Sequence, residues 1–237
     1  MGKIDKFLRG LVGSVVFYER DGKQFARKRP KKRKLAAASK ARAVSFGHAS
    51  TLSAWLVDEF TGLLKLPKFP KLQQRLAGTI SRWLGGRKLP EIIARQHVSW
   101  VEDFNFNLET KLNAQFKKQL NVITNPGEEI RLSINSFSPV NTILAPDGTS
   151  SVACSIAVVS CLLKKPDIKQ SYATTLEIPY TTNVTIQQQI NTGVQVRPGE
   201  LTLVVISLLF KGKDFDELDG VQHFKWRPVE VVGAAYG

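Results

Sequence analysis

The sequence predicts an α+β protein in which an N-terminal β-hairpin and a small helical layer precede an antiparallel β-sandwich. Asp21-Gly22 lies between two runs rich in β-branched and aromatic residues, which is typical of a hairpin. Apolar residues then follow helical spacing up to about residue 100, and short strand-like runs separated by turn residues fill the remainder. We therefore divide the chain into 1–34, 35–100 and 101–237.

The hairpin is predicted to pair Gly13–Arg20 with Lys23–Arg29. A type I′ turn requires positive φ at both central residues, and Asp-Gly tolerates that conformation. Pro30 has no N–H to donate to a strand ladder, so the second strand should end there. An isolated two-stranded ribbon is marginally stable, which means that its apolar side chains must be buried against the helices or against another subunit.

The helical region is predicted to contain a helical hairpin and a third, shorter helix. The first stripe recurs at spacings of three and four and consists of Ala49, Leu52, Leu56, Phe60 and Leu63. Pro67 and Pro70 interrupt it. The second stripe ends at Gly85-Gly86 and consists of Leu72, Leu76, Ile80 and Trp83. The third helix is predicted from Pro90 to about Val98.

The region after residue 101 is predicted to form six to eight strands of an antiparallel sandwich. Phe104, Phe106 and Leu108 alternate with polar residues. The later predicted strands are Glu129–Ile134, Val152–Leu163, Ala173–Tyr180, Asn183–Ile190, Leu201–Phe210 and Val221–Val232. Val152–Leu163 and Leu201–Phe210 are apolar on both faces, so they should be central strands. Cys154 and Cys161 are separated by seven residues, which predicts that their side chains point to opposite faces of one strand as reduced, buried thiols.

The charge of the chain is concentrated at its N-terminal end. Residues 1–45 hold 14 Lys/Arg and 3 acidic residues, residues 46–100 have a net charge of +5, and residues 101–237 have a net charge of −2. The densest part is a basic cluster of Lys28, Arg29, Lys31, Lys32, Arg33 and Lys34. Such a cluster attracts anionic partners and does not determine a fold.

The sequence contains no pattern typical of a catalytic, cofactor or metal site. His48, His97 and His223 are isolated from one another, there is no Cys-x-x-Cys, and no nucleophile elbow or phosphate-binding glycine loop occurs. Adjacent acidic residues such as Glu128-Glu129 would point to opposite faces of a strand. We therefore predict a non-enzymatic protein without a cofactor. Charges interrupt the N-terminal segment, so no signal peptide is predicted and a cytoplasmic location is expected. The apolar run Leu201–Phe210 is too short to span a bilayer.

Three segments carry a resemblance to a protein family. They run from Gly10 to Arg29, from Phe104 to Leu112 and from Asn135 to Thr149, and include the patterns GLVGSVVFYERDGKQFARKR, FNFNLETKL and NSFSPVNTILAPDGT. On these motifs the chain resembles a family of uncharacterised Bacteroidetes proteins, along nearly its whole length. The resemblance implies no activity, cofactor or catalytic residue. The Lys28 to Lys34 cluster is denser than the family pattern.

Two functions fit these observations. In the first, a structural protein self-assembles into a homo-oligomer, filament or shell, and the hairpin residues Val15, Phe17, Tyr18 and Phe25 form the assembly interface. The basic cluster then contacts acidic residues of the next copy, such as Asp214, Asp216, Glu217 and Asp219. In the second, the protein binds nucleic acid or another polyanion without sequence preference through Lys28–Lys34. We favour the first, in which the partner is another copy of the chain.

Overall fold

A computed structural model describes residues 9–29, 36–84, 98, 101–116, 120–125, 127–163, 167–185, 187–212 and 226–237. Helices and antiparallel sheets are both present, which confirms the α+β class. The chain divides into two compact units, Met1–Ser39 and Lys40–Gly237, and each is described by itself.

The first unit contains a three-stranded antiparallel sheet with strand order β1-β2-β3. Its strands are β1 (Gly10–Val12), β2 (Val15–Arg20) and β3 (Lys23–Lys28). Asp21 and Gly22 have φ values of 53° and 70°, so the turn between β2 and β3 has the positive φ that was predicted for both residues. The sequence did not predict β1, which has only three residues and joins β2 through a turn at Gly13, where φ is 58°.

Two helices follow, and all but the first three residues of the first helix lie in the second unit. They are α1 (Ala37–Leu64) and α2 (Leu72–Leu84), at the positions that the two apolar stripes predict. The guanidinium of Arg227 donates hydrogen bonds to the carbonyls of Leu64 (3.3 Å) and Lys65 (2.9 Å), and thereby caps the C-terminal end of α1. Of the predicted third helix, 90–98, all but Val98 lies outside the described residues.

Two antiparallel sheets complete the second unit. The four-stranded sheet has the order β10-β9-β6-β7 and the three-stranded sheet has the order β4-β5-β8. Their strands are β4 (Leu120–Ile123), β5 (Glu129–Ile134), β6 (Thr149–Leu162), β7 (Ile168–Pro179), β8 (Gln188–Gln195), β9 (Glu200–Gly212) and β10 (Val229–Tyr236). The central strands β6 and β9 coincide with the two runs that were predicted to be covered on both faces.

The four-stranded sheet has a different partner on each face. One face packs against α1 and α2, where Leu56 and Phe60 join a core cluster with Val159 and Leu203. Side chains on the other face cluster with the three-stranded sheet. Cys161 belongs to the first cluster and Cys154 to the second, so the predicted opposite orientation of the two thiols is confirmed.

Several strand predictions differ from the structure. Residues 104–108 do not form a strand. This segment pairs with the edge of β10 through an isolated bridge between Asn105 and Glu230. β8 begins at Gln188 rather than at residue 183. Thr185 was predicted to lie in this strand, but its backbone N–H donates to the carbonyl of Phe137 (2.8 Å), in the loop that follows β5. β10 continues to Tyr236, four residues beyond its predicted end, whereas residues 221–225 lie outside the described residues.

Candidate functional site

Only part of the predicted basic cluster falls within the described structure. Lys28 ends β3, Arg29 follows it, and both side chains are exposed. The backbone N–H of Arg29 donates to the carbonyl of Ser14 (2.6 Å), which extends the pairing of β2 with β3 by one bond. Lys31, Lys32, Arg33 and Lys34 lie outside the described residues, as do the acidic residues 214–219 that were predicted to contact them.

The four predicted interface residues lie on two different faces of the N-terminal sheet. Successive side chains of a strand alternate between faces, so Val15 and Phe17 share one face of β2 while Tyr18 lies on the other. Phe25 is paired directly with Tyr18 and therefore lies on the same face as that tyrosine. Val15 and Phe17 are half-buried, whereas Tyr18 and Phe25 are exposed.

The face with Tyr18 and Phe25 combines stacked aromatic rings with cations. The two ring centroids are 5.6 Å apart and the ring planes differ by 21°. The Arg27 guanidinium lies 5.5 Å from the centre of the Tyr18 ring. We call the side that carries Tyr18, Phe25 and Arg27 the aromatic face.

One edge of the four-stranded sheet has no neighbouring strand among the described residues. β7 is the last strand in the sheet order and bonds to β6. The N–H of Tyr180 donates to the carbonyl of Ser150 (2.9 Å), and bonded pairs in an antiparallel ladder recur at every second residue. The N–H and C=O groups of Ser171, Ala173 and Thr175 therefore point away from β6. We call this row the β7 edge.

An apolar cleft of about 400 Å³ lies where the end of β7 meets the three-stranded sheet and its loops. Its apolar lining consists of Ile134, Phe137, Leu176, Ile178, Pro179 and Val184. Glu177, Thr185 and Gln188 add polar groups, and Glu177 forms an ion pair with Lys211. At the opposite end of β7, the Gln170 side chain exchanges hydrogen bonds with the Gln195 backbone (2.8 and 3.1 Å). One end of the β7 edge is thus occupied by the contact between Gln170 and Gln195, and the other end lies at the apolar cleft.

The opposite edge of the same sheet is covered by residues 103–106, which we call the covering segment. The backbone N–H groups of Asp103 and Phe106 donate to the carbonyls of Val231 (2.9 Å) and Val229 (2.8 Å) on β10. The N–H of Val231 donates back to the carbonyl of Phe104 (3.1 Å).

Arg75 of α2 also contacts the covering segment. Its guanidinium donates to the carbonyls of Asn105 (2.7 Å) and Phe106, and lies 5.6 Å from the centre of the Phe104 ring. Burial lowers the pKa of Arg75.

A second, more polar cleft of about 250 Å³ contains a buried carboxyl group. Glu230 of β10 lines it beside Glu102 and Asp103, and accepts a hydrogen bond from the backbone N–H of Leu112 (3.2 Å). Burial raises the pKa of Glu230, and the charge of Asp103 raises it further, against the opposing effects of the Leu112 hydrogen bond and Lys111.

Replacing Glu230 by glutamine is expected to remove a pH-dependent cost to stability. The pKa of Glu230 is raised in the folded state, so the folded protein binds this proton more tightly than the unfolded chain does. The contribution of Glu230 to stability therefore falls as pH rises above its pKa in the unfolded chain. Glu230→Gln can still accept the Leu112 N–H. Thermal unfolding should show the variant more stable than the wild type at pH 7, with this advantage shrinking at pH 4. An equal difference at both pH values would contradict the assignment.

Other buried polar and thiol groups lie on the central strands β6 and β9. Ser160 donates to the Glu200 carboxylate (2.6 Å) and accepts from Thr202 (3.1 Å), which joins β6 to β9 inside the protein. Burial raises the pKa of Cys154 and Cys161 to about 12, with the charge of Glu200 contributing at Cys161. Both thiols therefore stay protonated at neutral pH.

Within the described ranges, no group of three or more His, Cys, Asp or Glu residues is arranged to hold a metal ion. None of the described helices combines the length and apolar character needed to cross a bilayer. The sequence pointed to the aromatic residues of the N-terminal sheet, but gave no signal for the β7 edge, the apolar cleft or the covering segment. No protein-family model matches this chain, and comparisons with curated proteins and with solved structures found no similar protein.

Proposed function

We propose that this chain is a non-enzymatic structural protein that self-assembles into a homo-oligomer or filament. In this proposal its two packed antiparallel sheets act as a β-sandwich, and the N-terminal sheet acts as an arm that reaches a neighbouring copy. The observation that carries the proposal is the β7 edge, which has no strand partner among the described residues and ends at the apolar cleft. Strand addition at such an edge supplies backbone hydrogen bonds, and an adjacent pocket supplies apolar contacts.

The composition of the β7 edge supports its role as the acceptor. Natural proteins protect exposed edges with charges, prolines or short strands. Residues 171–176, with the sequence SYATTL, contain neither a charge nor a proline. Tyr172 and Leu176 are half-buried on the inner side of this strand, which fixes its register against β6. The middle of the acceptor strand is therefore uncharged, and the charged residues Lys169 and Glu177 lie toward its two ends.

The two edges of the N-terminal sheet favour β1 as the donor in this proposal. β3 forms one edge and carries Lys23, Arg27 and Lys28, which oppose pairing with another strand. β1 forms the other edge, has no charge, and exposes Leu11 (50%) and Val12 (62%). Val12 shares a face with Val15 and Phe17 by the register of β1 with β2. We propose that β1 of one copy pairs with β7 of the next. This pairing places Val12, Val15 and Phe17 toward the apolar cleft.

Thr175→Pro tests this assembly directly. The N–H that proline removes points away from β6, so the variant is expected to keep its fold while losing one bond of the added strand. The proline ring also blocks close approach of that strand. Full-length, nuclease-treated wild type should form concentration-dependent oligomers or fibres in sedimentation velocity and negative-stain microscopy. Thr175→Pro should remain monomeric with the circular dichroism spectrum of the wild type.

Thr175→Ala is the matched control. Both substitutions remove the hydrogen bond between the hydroxyls of Thr175 and Ser155 (2.9 Å), but alanine keeps the backbone N–H. The alanine variant should assemble as the wild type does. Wild-type protein that is monomeric at every concentration and ionic strength would refute self-assembly itself. Equal assembly of the proline and alanine variants would refute strand addition at β7.

A further inference from the structure

We propose that the aromatic face of the N-terminal sheet binds single-stranded nucleic acid without sequence preference. This activity goes beyond self-assembly and uses the side of the sheet opposite Val12, Val15 and Phe17. The face combines the two groups that such binding requires, namely exposed aromatic rings on which bases stack and cations that neutralise phosphates.

Both rings of the aromatic face are exposed to solvent. Tyr18 is 38% exposed and Phe25 is 41% exposed, so the stacked pair presents an aromatic surface to solvent. Their stacking fixes both rings at a separation of 5.6 Å, so ordering them costs little when a ligand binds. Every base has a flat π surface, so such a stack accepts a base of any identity.

Two basic side chains lie beside these rings. Arg27 lies over Tyr18, and Lys23 lies on the same face by the alternation of β3. Salt bridges in this sheet join Arg9 to Glu19 and Arg20 to Asp21, and leave Lys23 and Arg27 without a carboxylate partner among the described residues. The two cations are therefore available to phosphate groups on either side of the stacked rings.

The choice of ligand follows from these two features together. Residues 1–45 carry 14 basic and 3 acidic residues, so a polyanion is electrostatically favoured over an acidic patch of limited size. Residues 9–29, which carry the aromatic face, present a sheet face rather than a helix that could enter a major groove. Bases are free to stack on side chains when the strand is unpaired, which favours single strands over duplexes.

The test measures binding of a fluorescent 20-nucleotide oligothymidylate to nuclease-treated, full-length protein by anisotropy at several salt concentrations. The wild type should bind with an affinity that falls steeply as salt rises. Tyr18→Leu combined with Phe25→Leu should weaken binding by about 5-fold or more, because stacking is lost while the apolar strand residues are kept. Arg27→Gln should weaken binding and lower the slope of log affinity against log salt by about 1.

Phe46→Leu is the matched control, because Phe46 is an aromatic residue of α1 that is 55% exposed in the other unit. This variant should bind as the wild type does. Thr175→Pro should also bind normally, which separates this inference from the proposed assembly. The proposal is wrong if the wild type shows no salt-dependent binding, if the double leucine variant retains full affinity, or if a duplex of equal length binds as tightly. It is also wrong if the double variant loses assembly but not binding.

Discussion

Replacing Arg75 by alanine is expected to lower the free energy of unfolding by about 2–4 kcal/mol, because a charged group that makes two hydrogen bonds is removed. The guanidinium donates to the carbonyls of Asn105 and Phe106 and lies over the Phe104 ring. It is a polar contact through which α2 holds the covering segment on β10, beside the apolar packing of α2 in the same core. Urea denaturation measures the loss of stability, and hydrogen exchange should show faster exchange of the Val231 and Phe106 amides, which bond β10 to that segment.

Two other substitutions separate this effect from a general loss of charge. Arg75→Lys keeps the positive charge but not the planar fork, so it should recover only part of the stability. Arg82→Ala removes an exposed arginine of the same helix whose side chain bonds to Gly78 and Thr79 within that helix. Its effect should stay within about 0.5 kcal/mol. If Arg75→Ala and Arg82→Ala had the same effect, Arg75 would not fasten the covering segment.

Replacing Phe106 by alanine is expected to cost about 3–5 kcal/mol, the range for removing a large aromatic ring from a core. Phe106 is buried, and its ring packs edge to face with Phe60 of α1 at 5.9 Å and with Phe104 at 5.8 Å. The substitution leaves a cavity where the first helix, the covering segment and β10 meet. Denaturant unfolding followed by tryptophan fluorescence measures the change.

The exposed Phe46 again provides a control, since Phe46→Ala should change stability by less than about 0.5 kcal/mol. Phe106→Ala and Arg75→Ala act on the same segment, so their effects should not be additive when the two are combined. A double variant whose loss equals the sum of the single losses would show that Phe106 and Arg75 stabilise the protein independently.

Patterns within short stretches of sequence predicted the two helices, the hairpin turn and the two central strands. The apolar stripes located α1 and α2, because a helix buries residues three and four apart. Asp21-Gly22 located the turn between β2 and β3, because few other residue pairs adopt its backbone conformation. The two doubly apolar runs identified β6 and β9 as central strands.

The features that depend on distant parts of the chain could not be predicted. Alternation at Phe104 and Phe106 indicated a strand, but the sequence did not show that α2 would hold this segment against β10. Apolar residues alternate in a single register from Val184 through Ile190 to Val194, so the pattern did not show where β8 begins. The loop contact of Thr185 with Phe137 precedes the observed start at Gln188. Aromatic hairpin residues could be named in advance, whereas the β7 edge is defined only by the order of strands in the sheet.

The covering segment occupies the β10 edge and so leaves β7 as the only edge of the four-stranded sheet that is open among the described residues. In the proposed assembly each copy has one acceptor, at β7, and one donor, β1. Every subunit therefore has one partner on either side, and the product is an unbranched line or a closed ring. Because donor and acceptor differ, a line has two chemically distinct ends, one with a vacant acceptor and one with an unused strand. Thr175→Pro chains, which donate but do not accept, should then act as chain terminators and shorten mixed polymers in proportion to their share.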